Sequence, residues 1–308
     1  MLVPGRPGHP PLRLRHADNP ALAGRQRRLF EIEYLEPDAV KHAALARGTA
    51  PVGALSQATG GDLSRSRRWA ELLGPGGIGD ELRAALMADG VCWGSLVLYR
   101  ERRGGRFRTE DVETVGALLP ILARLAPRLA VAPGGFDCPT DSPSPGLLVL
   151  GPDLTPLAAS PPARRWLAAA GTGSALPGLV YALVARLWAV ERGAPGALPP
   201  RVRARTAAGR WILVQAVRLE GPSLPGAIGI VIEPAPPSAV VPLLMAAYAF
   251  SRREREVARL VLEGRSGPEI AASLHISPLT VQDHLKAIFA KAGVRGRRQL
   301  AAALPGSA

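Results

Sequence analysis

Between Ser251 and Leu304 the chain carries three helix starts in close succession, and they leave this segment little freedom in how to fold. Ser251-Arg-Arg-Glu254 and Ser266-Gly-Pro-Glu269 are capping boxes. In each, the serine oxygen accepts a backbone N–H that a helix N-terminus leaves unpaired, and the glutamate reaches back to the serine N–H. Ser277-Pro278 is a third start, with proline at the first helical position, where a missing N–H costs nothing. Gly264 and Gly293 supply stops. Apolar residues recur at helical spacing between them: Val257, Leu260 and Val261, then Ile270, Ala271 and Leu274, then Val281, Leu285, Ile288 and Phe289. The spacing predicts four short helices between Ser251 and Leu304, with His275 to Ser277 turning the chain between the second and third.

Two short helices joined by a tight turn form a helix-turn-helix, whose second helix can enter the DNA major groove. With Val281, Leu285, Ile288 and Phe289 on the core face, Leu279, Gln282, Asp283, Lys286 and Ala290 point outward. Gln282 can bond an adenine edge, Lys286 can reach guanine O6/N7 or a phosphate, and Asp283 can accept from cytosine N4. Charge points the same way. The 38 Lys+Arg against 25 Asp+Glu give a net +13. Residues 1–135 hold 19 basic and 14 acidic, residues 136–242 hold 9 and 6, and residues 243–308 hold 10 and 5. Per residue the last segment is the most basic, which marks it as the anion-binding part. Only Lys41, Lys286 and Lys291 are lysine. That arginine bias suggests a GC-rich coding sequence, so part of the +13 is background.

The segment FSRREREVARLVLEGRSGPEIAASLHISPLTVQDHLKAIFAKAGVRGRRQL resembles the LuxR-type (GerE-type) DNA-binding domain of bacterial transcription regulators. Matching positions include Arg253-Glu254, Glu256-Val257, Gly264, Glu269-Ile270-Ala271, Ile276-Ser277, Thr280-Val281, His284, Lys291, Gly293-Val294 and Arg297. Phe250 and Arg252 replace the usual Leu and Pro, and Gly296 stands where a capping Ser is common. The resemblance implies a helix-turn-helix over 266–285 with Gln282, Asp283 and Lys286 reading bases. Thr280 and Lys291 are expected near the DNA backbone, and the last helix in dimerisation. Ser266, Ser277, Val281, His284 and Arg297 complete the expected DNA-binding set. Double-stranded DNA, a second copy of the chain and RNA polymerase are the expected partners.

Two Pro/Gly/Ser-rich stretches, 133–146 and 233–238, read as linkers. The fold class expected is multidomain: two α/β sensor domains followed by the all-α four-helix domain, with boundaries at 1–132, 143–235 and 243–308. In the first, Val91 to Arg100 is a strand by its β-branched and aromatic residues, and Thr109 caps a helix over 112–129 that Pro120 kinks or breaks. Asp80 to Ala88 has helix-forming composition. GDELRAALMADGVCWGSLVLYR with RFRTEDVETVGALLPILA looks like the second half of a GAF domain, in which Asp80 to Ala88 is a strand. The middle segment offers strands at 147–150 and 154–159, helices at 163–170 and 179–191, and strands at 202–206, 211–219 and 227–232. Two strands, helices, three strands is the order of a PAS-type sensor fold. Both resemblances allow a small-molecule ligand of unknown identity.

Several classes are set aside. No run of 18 or more apolar residues appears, and residues 1–15 lack the apolar core of a secretory signal, so the expectation is a cytoplasmic protein without a membrane partner. Cys92 and Cys138 are the only cysteines, which argues against a disulfide framework or a cysteine-ligated metal, and no cofactor is implied. His275 and His284 lack a third ligand. The competing enzyme reading uses Gly74-Pro-Gly76-Gly-Ile-Gly79, a literal G-x-G-x-x-G nucleotide loop, which should follow a strand and open a helix. A third reading is a degenerate regulator acting through protein contacts alone. Arg65, Arg67, Arg68 and the arginines of 100–108 read as solvated surface, Trp93, Trp166, Trp188 and Trp211 as core, and Cys92 as buried on its strand.

Overall fold

The computed structural model describes residues 22, 24–131, 144–169, 176–205 and 210–304. The 133–146 linker, for all but its last three residues, and Cys138 lie outside them. Two compact units divide the chain, residues 1–234 and 235–308.

The first unit opens with α1 (Gln26–Leu35), α2 (His42–Arg47), β1 (Val52–Ala54) and a single turn, α3 (Leu55–Ala58). Two further helical turns precede the long strands β2 (Ile78–Ala88) and β3 (Val91–Glu101), and α4 (Thr109–Val131) follows. The three strands form an antiparallel sheet in the order β1-β2-β3. Asp89 and Gly90 join β2 to β3 with φ of 50° and 72°, both left-handed, the two-residue turn whose twist matches paired strands. Sequence reasoning passed over this Asp-Gly, which is the strongest short-range signal that 80–88 is a strand.

Asp80 to Ala85 are buried on both faces of β2, so no polar–apolar alternation marks the strand. Asp80 accepts from the Ser56 N–H (3.0 Å), the Ser56 hydroxyl (2.6 Å), the Glu81 N–H (2.9 Å) and the Phe107 N–H (2.9 Å). On the other face Glu81 pairs with Arg68 (2.8 Å) and Arg83 (3.0 Å). Arg83 also reaches Glu33 of α1 (2.8 Å), and Arg68 reaches Asp38 (3.0 Å). Arg68, expected at the solvated surface, is fully buried, because these carboxylates need its charge inside. Burial pushes the Glu81 carboxyl up, but Arg83 and Arg68 outweigh it and hold the group below the usual carboxylate range.

The helix α4 starts at Thr109 itself, with the Asp111 carboxylate accepting from the Arg108 N–H (2.7 Å). It runs unbroken past Pro120 and Pro127 to Val131, each proline removing a single ladder hydrogen bond. The Gly74–Gly79 loop follows a helical turn and leads into β2, so it opens no helix. Its glycines answer to the backbone: Gly77 has φ of 83°, and a Cβ on Gly79 would lie 2.7 Å from the Arg102 Cα. The geometry a dinucleotide fingerprint requires is not found there.

The second sheet has five antiparallel strands in the order β5-β4-β8-β7-β6. They are β4 (Gly146–Leu150), β5 (Pro156–Ala159), β6 (Arg201–Arg205), β7 (Trp211–Arg218) and β8 (Ile228–Pro234). Between β5 and β6 lie α5 (Pro161–Ala169) and α6 (Gly178–Glu191). Leu148, Leu150, Val214, Ile228 and Ile230 form one core with Trp166, Leu179, Leu183 and Val184. Trp188 packs on the same core and Trp93 is buried in the first sheet. In α6 Arg186 is buried over the Tyr34 ring of α1, 5.3 Å from its centroid.

The second unit holds α7 (Pro237–Ala247), α8 (Arg252–Leu262), α9 (Gly267–Leu274), α10 (Pro278–Ala292) and α11 (Arg297–Ala303). Sequence reasoning placed a linker over 233–238. In fact β8 extends to Pro234 and α7 starts at Pro237, its proline at the first turn and Val240, Leu243 and Leu244 buried. Among the described residues no helix is long and apolar enough to cross a membrane.

Replacing Glu81 by Gln leaves Arg68 and Arg83 each short of a buried counterion. The expected cost is about 3 to 5 kcal/mol. A urea titration followed by tryptophan fluorescence measures it as a fall in the midpoint.

Candidate nucleic-acid interface

Both capping boxes close as the spacing predicts. Ser251 accepts from the Glu254 N–H (3.2 Å) while Glu254 accepts from the Ser251 N–H (2.6 Å). Ser266 and Glu269 repeat the exchange at 3.4 and 2.7 Å. Ser277 takes the Thr280 N–H at 3.0 Å, with the two hydroxyls 2.8 Å apart. His275 ends α9 in the left-handed conformation, φ 54°, and so supplies the sharp turn before α10. Gly293 does the same at the end of α10, with φ 68°.

The inward face of α10 is apolar, with Val281, Leu285 and Ile288 buried. Leu279, Gln282, Asp283 and Lys286 are exposed. Their spacing of three, one and three residues sets them on one stripe of the helix. The Lys286 ammonium lies 3.6 Å from Asp283, and both side chains are largely solvated. Such a pair is worth at most about 1 kcal/mol, so a base or phosphate can replace either partner. Thr280 and His284 flank the stripe half-buried, and Val281 sits in the core, able to act only by holding α10 in place.

Two members of the expected set are engaged inside the fold. Lys291 donates to both Glu254 oxygens (2.9 and 2.7 Å) and to the Ala249 carbonyl (3.2 Å). Arg297 donates to the Arg265 carbonyl at 2.6 Å. Ser266 and Ser277 are caps whose hydroxyls lie at helix N-termini. Sequence reasoning missed Arg253, which donates to the Leu274 carbonyl (2.7 Å) at the end of α9 and so ties α8 to the turn. No local pattern marks a contact between positions that far apart in the chain.

A short capped helix, a tight left-handed turn and a second helix with a polar, partly basic outer stripe define the helix-turn-helix class. Residues 248–304 match the family of bacterial regulatory proteins described as luxR. Spore germination protein GerE of Bacillus subtilis is 42% identical over 50 residues, which cover 16% of this chain and 68% of GerE. This chain belongs to that luxR family. The HTH-type transcriptional regulator Rv0890c of Mycobacterium tuberculosis is 53% identical over 47 residues, 15% of this chain and 5% of that protein. The match thus spans only about 5% of the length of the mycobacterial relatives. Among solved structures, the phage VqmA-DPO complex is similar at 19% identity over 53% of this chain and 83% of that one, with a TM-score of 0.20, too slight an overlap to identify a shared fold.

Burial pushes the Glu254 carboxyl up, yet the hydrogen bonds from Lys291 and the Ser251 N–H overcome it, so the group lies below the ordinary glutamate range. A carboxylate depressed in the folded state adds stability above its unfolded pKa, and that stability is lost as pH falls through the folded value. Hydrogen exchange of the α8 and α10 amides, corrected for intrinsic rates, therefore loses protection as pH falls from about 4.5. Glu254→Gln removes that acid limb and lowers protection at neutral pH.

Proposed function

We propose that this chain is a cytoplasmic, sequence-specific DNA-binding transcription regulator that places α10 in the major groove. The observation that carries the proposal is the exposed stripe Leu279, Gln282, Asp283 and Lys286 on a helix whose opposite face is buried. A helix-turn-helix reads DNA with the N-terminal part of its second helix, where this stripe begins. Membership of the luxR family and the names of its relatives support the same reading. Gln282 and Asp283 meet base edges, Lys286 a guanine or a phosphate, and Ser266, Ser277, Thr280 and His284 lie against the backbone. Lys291, whose ammonium already meets three acceptors, serves mainly to hold the recognition helix, while Arg297 spends one N–H on the Arg265 carbonyl and keeps others for a phosphate. The protein acts as a homodimer through α11, contacts RNA polymerase, and is not an enzyme.

The upstream halves act as GAF-like (1–132) and PAS-like (143–235) sensor or oligomerisation domains, followed by the DNA-binding domain over 243–308. Support for the second comes from its five-stranded antiparallel sheet, with two strands before the helices and three after. Support for the first comes from its central hairpin backed by α4. Either can take a small-molecule signal of unknown class.

Leu279 is 66% exposed, an apolar side chain at the mouth of a polar stripe. In the major groove the apolar mark is the thymine C5 methyl, so Leu279 selects thymine beside the bases read by Gln282 and Asp283.

Selection of bound sequences from a random DNA pool with the full chain yields a defined site, and affinity for it falls steeply with salt. Lys286→Ala weakens binding by about 1 to 3 kcal/mol and flattens the salt slope or relaxes one base position. A full chain that enriches no sequence, or a triple Ala variant at Gln282, Asp283 and Lys286 that binds as wild type, overturns the reading.

With the selected site in hand, replacing the thymines by deoxyuridine weakens the wild type by about 0.8 kcal/mol at the position Leu279 touches. Leu279→Ala binds both DNAs alike. Equal methyl dependence in the two proteins removes the role of Leu279 while leaving the DNA reading intact.

A further inference from the structure

The helix α4 carries a stripe that matches itself in reverse. One face packs on the first sheet: Leu119, Ala123 and Ala126 are buried, and Val112 and Val115 lie against Leu82 and Phe107. The other face leaves Leu118, Ile121 and Leu125 at 49%, 50% and 47% exposure, although buried apolar surface is what a helix ordinarily seeks. With Glu110, Thr114 and Arg128, all exposed, these three residues follow one line along the helix at spacings of three and four. The line is acidic at its start, apolar in its middle and basic at its end. Beside it Glu113 stands near the acidic end and Arg124 near the basic one.

We infer that α4 is a contact between two copies of this chain, paired antiparallel. Read from opposite ends at about 1.5 Å per residue, the two stripes fall into register to within about 1.5 Å at every layer. Glu110 faces the second copy's Arg128, Thr114 faces its Leu125, Leu118 faces its Ile121, and the other three layers follow by two-fold symmetry. A parallel arrangement would instead set Glu110 beside Glu110 and Arg128 beside Arg128. The antiparallel one buries all three exposed apolar residues of each copy and joins opposite charges at both ends, including Glu113 with Arg124. Charge sets the direction of pairing, and the apolar middle supplies the driving force. One helix pair is a small interface, so association through it depends on concentration. The contact is distinct from dimerisation through α11 and needs no DNA.

The test reads proximity at α4 itself. Full-length chains carrying Cys138→Ser with either Thr114→Cys or Leu125→Cys are held under a mild oxidant, separately and mixed. The mixture is expected to form a disulfide-linked dimer, and neither chain alone does so, because identical positions lie about 17 Å apart along the antiparallel pair. Adding Leu118→Glu and Ile121→Glu to both chains abolishes the crosslink, with circular dichroism confirming that the fold is retained. If that pair unfolds the chain, Leu118→Gln with Ile121→Gln takes its place. Reversing the charges at Glu110 and Glu113 in both chains weakens the crosslink of the mixture, whereas reversing Glu110 and Glu113 in the Thr114→Cys chain and Arg124 and Arg128 in the Leu125→Cys chain retains it. A mixture that fails to crosslink, a 114–114 crosslink, or crosslinking untouched by the changes at 118 and 121 overturns the inference.

Discussion

Everything the C-terminal unit does depends on where α10 points, and that direction is held by one carboxylate. Glu254 closes the N-terminus of α8 through the Ser251 N–H and at the same time receives the Lys291 ammonium from the far end of α10. With 6% of its surface exposed, it can keep its charge only because both partners are present. The joint is therefore selective rather than merely adhesive. Shifting α10 along α8 would strand a buried carboxylate, a larger penalty than any single apolar contact could offset. Arg253 and Arg297 add two more fixed distances by reaching carbonyls at the end of α9 and just before it. The outer stripe of α10 is thus presented by a scaffold pinned at several points.

The first sheet follows the same logic at greater expense. Glu33, Asp38, Glu81, Arg68 and Arg83 are taken out of water together, and Asp80 on the opposite face of β2 collects four donors. Networks of this kind add little net stability over a well-packed apolar core, but a mispaired arrangement leaves charges buried without partners. They specify one placement of α1 and of the loops carrying Asp38 and Arg68 on a short, three-stranded sheet. That sheet in turn backs α4, whose position decides which of its faces is left for another molecule.

What could be read in advance separates by range. Caps, turn residues and apolar spacing act within a few positions, so α8, α9 and α10 were legible to within a residue or two, as were the strands Val91–Glu101 and Ile228–Pro234. Leu279, Gln282, Asp283 and Lys286 followed from the helical period alone. The strand Ile78–Ala88 was obscured in composition, because DELRAALMA has that of a helix; the GAF resemblance and the Asp89-Gly90 turn are what mark it as a strand. The same limit hid α7 behind a proline-rich stretch and hid the engagement of Lys291, whose partner lies 37 positions away. Arg68 was misjudged for the related reason that an arginine's burial depends on acids elsewhere in the fold. Local chemistry thus located the exposed stripe of α10, whereas the supports beneath it arose from long-range pairing.

The overall charge of +13 takes a different meaning once partners are assigned. In the first unit Arg68 and Arg83 are neutralised in the interior and Arg28 and Arg67 by Glu36 and Glu71 near the surface, so they offer little to an outside anion. In the C-terminal unit Lys291 is spent in the same way, while Arg252 and Arg253 share Glu256. Among the described residues of this unit Arg255, Arg259, Arg295, Arg297 and Arg298 form no ion pair, and Lys286 has only a long, solvated one. Exposed pairs exchange partners at almost no cost, whereas buried pairs cannot. The charge available to a phosphate backbone is therefore a subset of the formal surplus, set by which cations the fold has left unpaired or loosely paired. On α10 that subset is Lys286, solvated beside the exposed polar groups of Gln282 and Asp283.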